Sequence, residues 1–197
     1  MLGQHAGLIF DLDGTLVDTK LDFKLLCQQL GWPEGTPILE HLATLDDPAE
    51  RLWAEQIICH FEMQGAASAQ WMPGAEEFLW HLSEQDIPTA VLTRNMKAAS
   101  QLCRQKLSIP ISLWITREDC PAKPDPTGLW LIAKEWQLPP AELLFIGDYS
   151  FDLETAKRAG MPSCLYLTAE NQHFLPDADY SISHFAELHQ LYLSVPK

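Results

Sequence analysis

Short apolar runs alternate with helix-forming segments along most of this chain, and this alternation constrains the fold more than any other feature. Five runs have the length and content of buried strands, at residues 7–10, 89–92, 113–115, 143–146 and 164–167. Segments with the apolar period of a helix separate the later runs, at residues 75–83, 96–107, 127–137 and 150–159. This order predicts an α/β fold, a Rossmann-like parallel sheet with helices on both faces.

One long stretch interrupts the alternation after the first strand. Between residues 20 and 71 no strand pattern is found, and three helical patterns occur, at residues 21–30, 37–45 and 48–64. We therefore expect an α/β core and, inserted into it, a small all-helical cap that packs over the end of the sheet. The expected core comprises residues 1–19 and 72–197, and the expected cap comprises residues 20–71.

The third helix of the insertion has the clearest signals. Asp46 or Asp47 would cap its start, with Pro48 in the first turn. Its apolar positions would then fall on one face. They are Leu52, Trp53, Ile57, Ile58 and Phe61.

Polar residues follow three of the predicted strands. Asp11 and Asp13 follow the first, Thr93 the second, and Asp148 and Asp152 the fourth. Each alone has an ordinary explanation, since Asp-Gly is a common turn and a threonine can cap a helix. The carboxyl ends of parallel strands share one edge of the sheet, where ligands bind. Together these residues therefore predict one site at that edge.

Four motifs contain these residues in order. They are FDLDGTLVDT at residues 10–19, LTRN at 92–95, KPDP at 123–126, and GD-x3-D at 147–152 with an Ala-Gly pair at 159–160. The set resembles the motifs of the haloacid dehalogenase superfamily of phosphohydrolases, in its subfamily with a small helical cap. The resemblance spans the core and leaves out the inserted helices. It implies a phosphatase that hydrolyses a small-molecule phosphomonoester, with phosphoglycolate phosphatase-like activity as the leading hypothesis.

The resemblance also implies roles for the matched residues. Asp11 would be the nucleophile that forms an aspartyl phosphate, which water then hydrolyses. Asp13 would be the general acid to the leaving oxygen and then the base on water. Thr93 and Lys123 would be catalytic as well, because they stabilise charge on the transferring phosphoryl group. The expected substrate-binding residues are Gly14, Thr15, Thr93, Arg94, Asn95 and Lys123.

The charges in this crevice call for a cation. Four carboxylates, those of Asp11, Asp13, Asp148 and Asp152, would face the one ammonium group of Lys123. An all-oxygen ligand set suits Mg²⁺, whereas zinc would need cysteine or histidine. By the resemblance, the ligands are Asp11, the backbone carbonyl of Asp13, and Asp148, with Asp152 in the outer shell.

Composition excludes several other classes of partner. The chain has 13 Lys+Arg against 27 Asp+Glu and a net charge of −14, without a basic stripe, so we expect neither nucleic acid nor membrane as a partner. Its five cysteines are odd in number and widely spaced, which favours a reducing, cytoplasmic location. The expected partner is a small phosphorylated metabolite, and the chain would be a monomer or homodimer.

Alternatives remain within the same fold. A phosphosugar mutase of the β-phosphoglucomutase type has similar motifs but usually a larger cap, and a phosphonate-cleaving enzyme would need a cap lysine such as Lys20 or Lys24. The dehalogenase branch lacks an aspartate at the position of Asp13. A non-catalytic binding protein on this fold is a further alternative, although it would need neither Asp13 nor Lys123.

Overall fold

A parallel sheet of six strands forms the centre of the molecule, which we describe for residues 2–193 of a computed structural model. The strands of the chain are β1 (Gly7–Phe10), β2 (Val17–Asp18), β3 (Gln70–Trp71), β4 (Thr89–Leu92), β5 (Leu113–Ile115), β6 (Leu143–Gly147), β7 (Ser163–Tyr166) and β8 (Tyr180–Ile182). The sheet has the order β5-β4-β1-β6-β7-β8, and each neighbouring pair is parallel. In register, Leu8 pairs with Thr89 on one side and Leu144 on the other.

Within the described residues, eight α-helices connect and cover the strands. They are α1 (Phe23–Leu30), α2 (Ile38–Thr44), α3 (Pro48–Ser68), α4 (Ala75–Glu84), α5 (Lys97–Leu107), α6 (Thr127–Trp136), α7 (Ser150–Ala159) and α8 (Phe185–Leu193). Short 3₁₀ helices lie at Pro140–Glu142 and Gln172–Asp177. Within residues 2–193, none of these helices combines the length and the apolar content that crossing a bilayer requires.

The strands are short and apolar because both faces of the sheet are buried. Along β1, Leu8 and Phe10 face a core layer that includes Phe78 of α4 and Phe185 of α8. Ile9 points to the opposite layer, which is formed by residues of α6 and α7. Helices on both faces confirm the predicted α/β fold class. The edge strand β8 and helix α8 were not expected from the sequence.

Helices α1–α3, which we call the helical insertion, have a small apolar core of their own. It contains Leu26, Leu30, Trp32, Ala54, Ile58 and Phe61. Asp47 is the residue that caps α3, accepting the Ala49 N–H at 2.9 Å. The expected single apolar face of α3 is wrong at Leu52 and Trp53, which are 56% and 46% exposed. The buried face of α3 carries Ala54, Ile58 and Phe61, and at about 100° per residue Leu52 lies about 160° and Trp53 about 100° around the helix from Ala54.

A two-stranded antiparallel ribbon closes the base of the helical insertion. Val17 of β2 pairs with Trp71 of β3, and Asp18 pairs with Gln70. The expectation of no strand between residues 20 and 71 is therefore wrong for Gln70–Trp71. Two residues are too few to show a period, and their pairing depends on a partner far away along the chain.

Candidate active site

The loop after β1 carries the first acidic pair. Asp11 follows Phe10 directly, and its N–H donates to the carbonyl of Ile146 at 2.8 Å, so the sheet holds its backbone. Gly14 turns the chain with φ +77°, and a Cβ placed there would lie 2.5 Å from Oδ2 of Asp148. Glycine at this position therefore lets the two acidic loops approach each other.

The loop after β6 brings the second acidic pair to the same place. Thr15 donates from its hydroxyl to Oδ1 of Asp148 at 3.1 Å. A Cβ on Gly147 would lie 2.3 Å from Cγ of Asp152, so the strand end leaves room only for that carboxylate. Oδ2 of Asp152 accepts the Tyr149 N–H at 3.0 Å, which caps the start of α7. These contacts fix both carboxylates.

Lys123 lies at the centre of the acidic cluster, on the segment between β5 and α6. Its Nζ is 2.6 Å from Oδ1 of Asp11 and 2.6 Å from Oδ1 of Asp152, and the side chain is 3% exposed. Oxygens of Asp11, Asp148 and Asp152 lie within 4.8 Å of one another, a group that could hold a metal ion. One ammonium group therefore faces three carboxylates.

This crowding raises the proton affinity of the carboxylates. Burial raises the pKa of Asp11 well above its ordinary value; Lys123 opposes that shift, while Asp152 and Asp148 add to it. Burial and the charge of Asp152 raise the pKa of Asp148 to about 7. Carboxylates held this close bind protons more tightly because their negative charges repel. A cation at this position would offset the repulsion.

Asp13 is held separately from the cluster, by one donor on each oxygen. The Thr19 hydroxyl donates to Oδ1 at 2.6 Å, and the Asn95 side-chain amide donates to Oδ2. Burial raises the pKa of Asp13, and these two donors oppose that shift. Sequence reasoning assigned no role to Thr19. Its position within the first motif, eight residues after Asp11, was the available signal.

The segment after β4 joins the helical insertion to the site. Thr93 accepts the Asn95 N–H on its hydroxyl at 3.1 Å, which shapes the turn. The guanidinium of Arg94 pairs with Glu40 of α2 at 2.8 Å, donates to the carbonyl of Lys123, and lies 4.3 Å from the centre of the Phe151 ring. Arg94 therefore bridges the sheet edge and the helical insertion.

Contacts thus link the whole set of predicted site residues at one edge of the sheet. A further positioning residue is Asn171, which was not found from the sequence. Its buried side chain donates to the carbonyl of Asp148 at 2.8 Å and to that of Tyr166 at 2.9 Å. The only signal was an asparagine shortly after a strand, which does not by itself distinguish such a tether from an ordinary turn.

Known proteins resemble this chain in sequence and in fold. The family model of the haloacid dehalogenase-like hydrolases matches residues 5–160, which include every residue of the site from Asp11 to Asp152. A haloacid dehalogenase-like hydrolase domain-containing protein of Arabidopsis thaliana is 33% identical over 189 residues, which cover 90% of this chain and 76% of the relative. A phosphoglycolate phosphatase of Pseudomonas savastanoi pv. phaseolicola is 28% identical over 201 residues, which cover 87% of this chain and 72% of that relative.

The fold comparison agrees with the sequence comparison. The crystal structure of a hydrolase from Pseudomonas syringae superposes with a TM-score of 0.78, covering 98% of this chain and 100% of that one, at 18% identity. At this identity the similarity concerns the fold alone. The family model matches most of the chain, including all the acidic motifs that meet at the site. The chain is therefore a member of the haloacid dehalogenase-like hydrolase family.

Proposed function

We propose that this protein is a Mg²⁺-dependent phosphatase that hydrolyses a small-molecule phosphomonoester through an aspartyl-phosphate intermediate. The observation that carries this proposal is the pairing of two carboxylates with different partners. Asp11 faces the Lys123 ammonium at 2.6 Å, whereas Asp13 is held by two uncharged donors. The ammonium group of Lys123 favours the ionised form of Asp11, against the effect of burial, and burial favours the protonated form of Asp13. The relative named phosphoglycolate phosphatase supports the same class of reaction.

The residues present suit Mg²⁺. The donors are carboxylate oxygens within 4.8 Å of one another, and hard divalent cations prefer such ligands. Asp11, the backbone carbonyl of Asp13, and Asp148 would hold the ion. Both oxygens of Asp152 already accept hydrogen bonds, from Lys123 and from the Tyr149 N–H, which supports a place in the outer shell. When bound, the ion supplies positive charge against the carboxylates and the phosphoryl oxygens.

In the first step a carboxylate oxygen of Asp11 attacks phosphorus, and the bond from phosphorus to the leaving oxygen breaks. Asp13 gives its proton to that oxygen, so the product leaves as a neutral alcohol. Lys123 and Thr93 donate hydrogen bonds to the transferring group, whose charge spreads over its oxygens. Burial raises the pKa of Asp13, which is the direction that a general acid needs.

In the second step water hydrolyses the aspartyl phosphate. Asp13, now a carboxylate, takes a proton from water as the water oxygen bonds to phosphorus, and the bond from phosphorus to the Asp11 oxygen breaks. Inorganic phosphate leaves, Asp11 is again a carboxylate, and Asp13 is again protonated. Thr19 and Asn95 keep Asp13 in one orientation through both proton transfers.

The helical insertion would select the leaving group. We propose residues 20–71 as a cap over a core formed by residues 1–19 and 72–197, since Glu40 of α2 meets Arg94 beside the site. Arg94 and Asn95, together with Gly14 and Thr15, would shape the substrate pocket. The five free thiols support a cytoplasmic location.

The experiment is a hydrolysis screen over p-nitrophenyl phosphate and small phosphomonoesters, 2-phosphoglycolate among them, with Mg²⁺ present. We expect turnover that EDTA abolishes and Mg²⁺ restores. Asp11→Asn should lower kcat at least about 10⁴-fold, as the loss of a nucleophile does. Unchanged turnover by Asp11→Asn, or full turnover in EDTA, would show that the proposed chemistry is wrong.

A further inference from the structure

A buried ion pair joins the helical insertion to the segment that holds Asp13. Glu62 of α3 pairs with Arg117, which follows β5, and their side chains are 9% and 17% exposed. The other carboxylate oxygen of Glu62 accepts the Met96 N–H at 2.9 Å. Burial raises the pKa of Glu62, and the Arg117 guanidinium opposes that shift. A buried pair of this kind is costly to break, because removal of one partner leaves the other charge unpaired.

Arg117 extends the contact from Glu62 to the segment after β4. Its guanidinium also donates to the carbonyl of Arg94 at 2.9 Å, and its backbone N–H donates to the carbonyl of Asn95 at 3.4 Å. Met96, which follows Asn95, is fixed by Glu62 at the start of α5. Glu62 and Arg117 therefore hold the backbone of three consecutive residues.

The middle residue of the three is the one that contacts Asp13. The Asn95 side chain donates to Oδ2 of Asp13, so the orientation of that carboxylate depends on where the Asn95 backbone lies. Helix α3 also supports the second donor, because the Ser68 hydroxyl lies 3.3 Å from the carbonyl of Thr19, and Thr19 donates to Oδ1 of Asp13. One helix of the insertion thus supports both donors to Asp13.

We propose that Glu62 and Arg117 are positioning residues that align Asp13 for proton transfer, acting through Asn95. The inference rests on the proposed function, in which Asp13 protonates the leaving oxygen. It assigns to α3 a second role besides covering the site. An insertion seated on the core holds Asp13 in line, and an insertion displaced from it releases that alignment.

The test uses the dependence of rate on the leaving group. A misaligned acid lowers the rate most when the leaving oxygen is basic. Hydrolysis of phenyl phosphate should therefore slow more than hydrolysis of p-nitrophenyl phosphate, whose anion leaves without a proton. For Glu62→Gln we expect kcat/KM to fall about tenfold more for phenyl phosphate than for p-nitrophenyl phosphate. Affinity for inorganic phosphate, measured by competitive inhibition, should change less than about twofold, since the phosphate ligands stay in place.

The matched control is Glu118→Gln. Glu118 also places a carboxylate at the start of α5, where it accepts the Lys97 N–H at 2.8 Å, but it is exposed and makes no hydrogen bond to residues 94–96. This variant should not lower kcat/KM selectively for either substrate. Should Glu62→Gln not fold, Arg117→Lys keeps the charge while one ammonium group replaces the fork that spans Glu62 and Arg94, and it should show the same selective loss to a smaller extent.

Three outcomes decide the matter. A selective loss in Glu62→Gln or Arg117→Lys, with the control unchanged, supports the inference. Equal losses for both substrates in a folded variant mean that the pair is merely structural, and the inference falls while the phosphatase proposal stands. A wild-type protein that hydrolyses neither of these substrates nor any phosphomonoester of the screen overturns the phosphatase proposal and this inference with it.

Discussion

The acidic loops of the sheet and the turns of the helical insertion differ in how closely their glycines are packed. In the loops, a Cβ on Gly14 or Gly147 would lie within 2.5 Å of an active-site carboxylate atom. In the insertion, Gly31 and Gly35 have nothing within 4 Å of the same position. At the loop glycines an added Cβ would have to displace a carboxylate, whereas the turns at Gly31 and Gly35 have room; within α3, Gly65 is closely packed, with Leu21 2.4 Å from such a Cβ. Under the proposed function, the phosphoryl chemistry would lie where the glycines are closely packed against carboxylates, and the leaving group would be selected by a region whose turns have room for other side chains.

The largest expected effect tests this difference directly, by comparing Gly14→Ala with Gly31→Ala. Both glycines have positive φ, +77° and +68°, so both variants pay a similar backbone strain of about 1 kcal/mol. In Gly14→Ala the methyl group must also displace Asp148, and kcat/KM should fall at least about 100-fold, as expected for a misplacement near 1 Å. Gly31→Ala should keep wild-type kcat/KM. Activity and Tm of the two variants are measured side by side.

Similar Tm losses with very different activities would sharpen the contrast between the two regions. Equal activities would break it, because the close approach of the Gly14 and Asp148 loops would then not matter to turnover.

The second effect concerns protons and the cation. The pKa of Asp148 is raised from 3.8 to about 7 by burial and by Asp152, so the metal-free folded protein keeps a proton that the unfolded chain loses. Between pH 4 and 7 the folded state thus binds more protons, and its stability falls as the pH rises. Mg²⁺ must displace that proton. Below pH 7 its apparent affinity should therefore weaken by up to about tenfold per pH unit.

The measurement is a Mg²⁺ titration of Tm at several pH values. Asp148→Asn should weaken the pH dependence, part of which remains because the pKa of Asp11 is also raised, and should remove most of the Mg²⁺ effect. Glu40→Gln is the control from the insertion, because its partner Arg94 lowers the pKa of Glu40 and the group is already ionised over this range. A Mg²⁺ affinity that does not change between pH 5 and 7 would contradict the expected link between loss of the Asp148 proton and Mg²⁺ binding.

Local pattern was sufficient to predict most of the sheet. Strands β4 and β5 have the predicted bounds, because a buried parallel strand is a short apolar run that ends at a turn. The convergence of Asp11, Lys123 and Asp152 was also predictable in outline, since parallel strands end at one edge.

The rest depends on tertiary contacts that no local pattern encodes. The ribbon of β2 and β3 forms only because Val17 meets Trp71 across the whole insertion. Leu52 and Trp53 are exposed because the small core of the insertion forms on the face of α3 that carries Ala54 and Ile58. Asn171 is a tether only because the fold brings it under the carbonyl of Asp148. Sequence patterns predict the elements, and packing between elements determines these exceptions.

The smallest effect concerns the point where the two regions meet. Glu40 places a negative charge next to Arg94, beside a site that would bind an anion. The whole chain already has a net charge of −14. Glu40→Gln removes that charge from a half-exposed pair, so stability should change by less than about 1 kcal/mol. Repulsion of the substrate should weaken by a similar amount, lowering KM about two- to fivefold with kcat unchanged.

Glu34→Gln is the matched control for this charge. Glu34 also lies in the insertion and pairs with a cation, Lys24, at 3.0 Å, but both side chains are well exposed. Because the contact does not involve the Arg94 segment, its loss should leave KM and kcat unchanged. Added salt should shrink the difference between wild type and Glu40→Gln, since mobile ions screen a partly exposed charge. A rise in KM for Glu40→Gln would instead mean that Glu40 orients Arg94 for the substrate, and the helical insertion would then help to position a residue of the site.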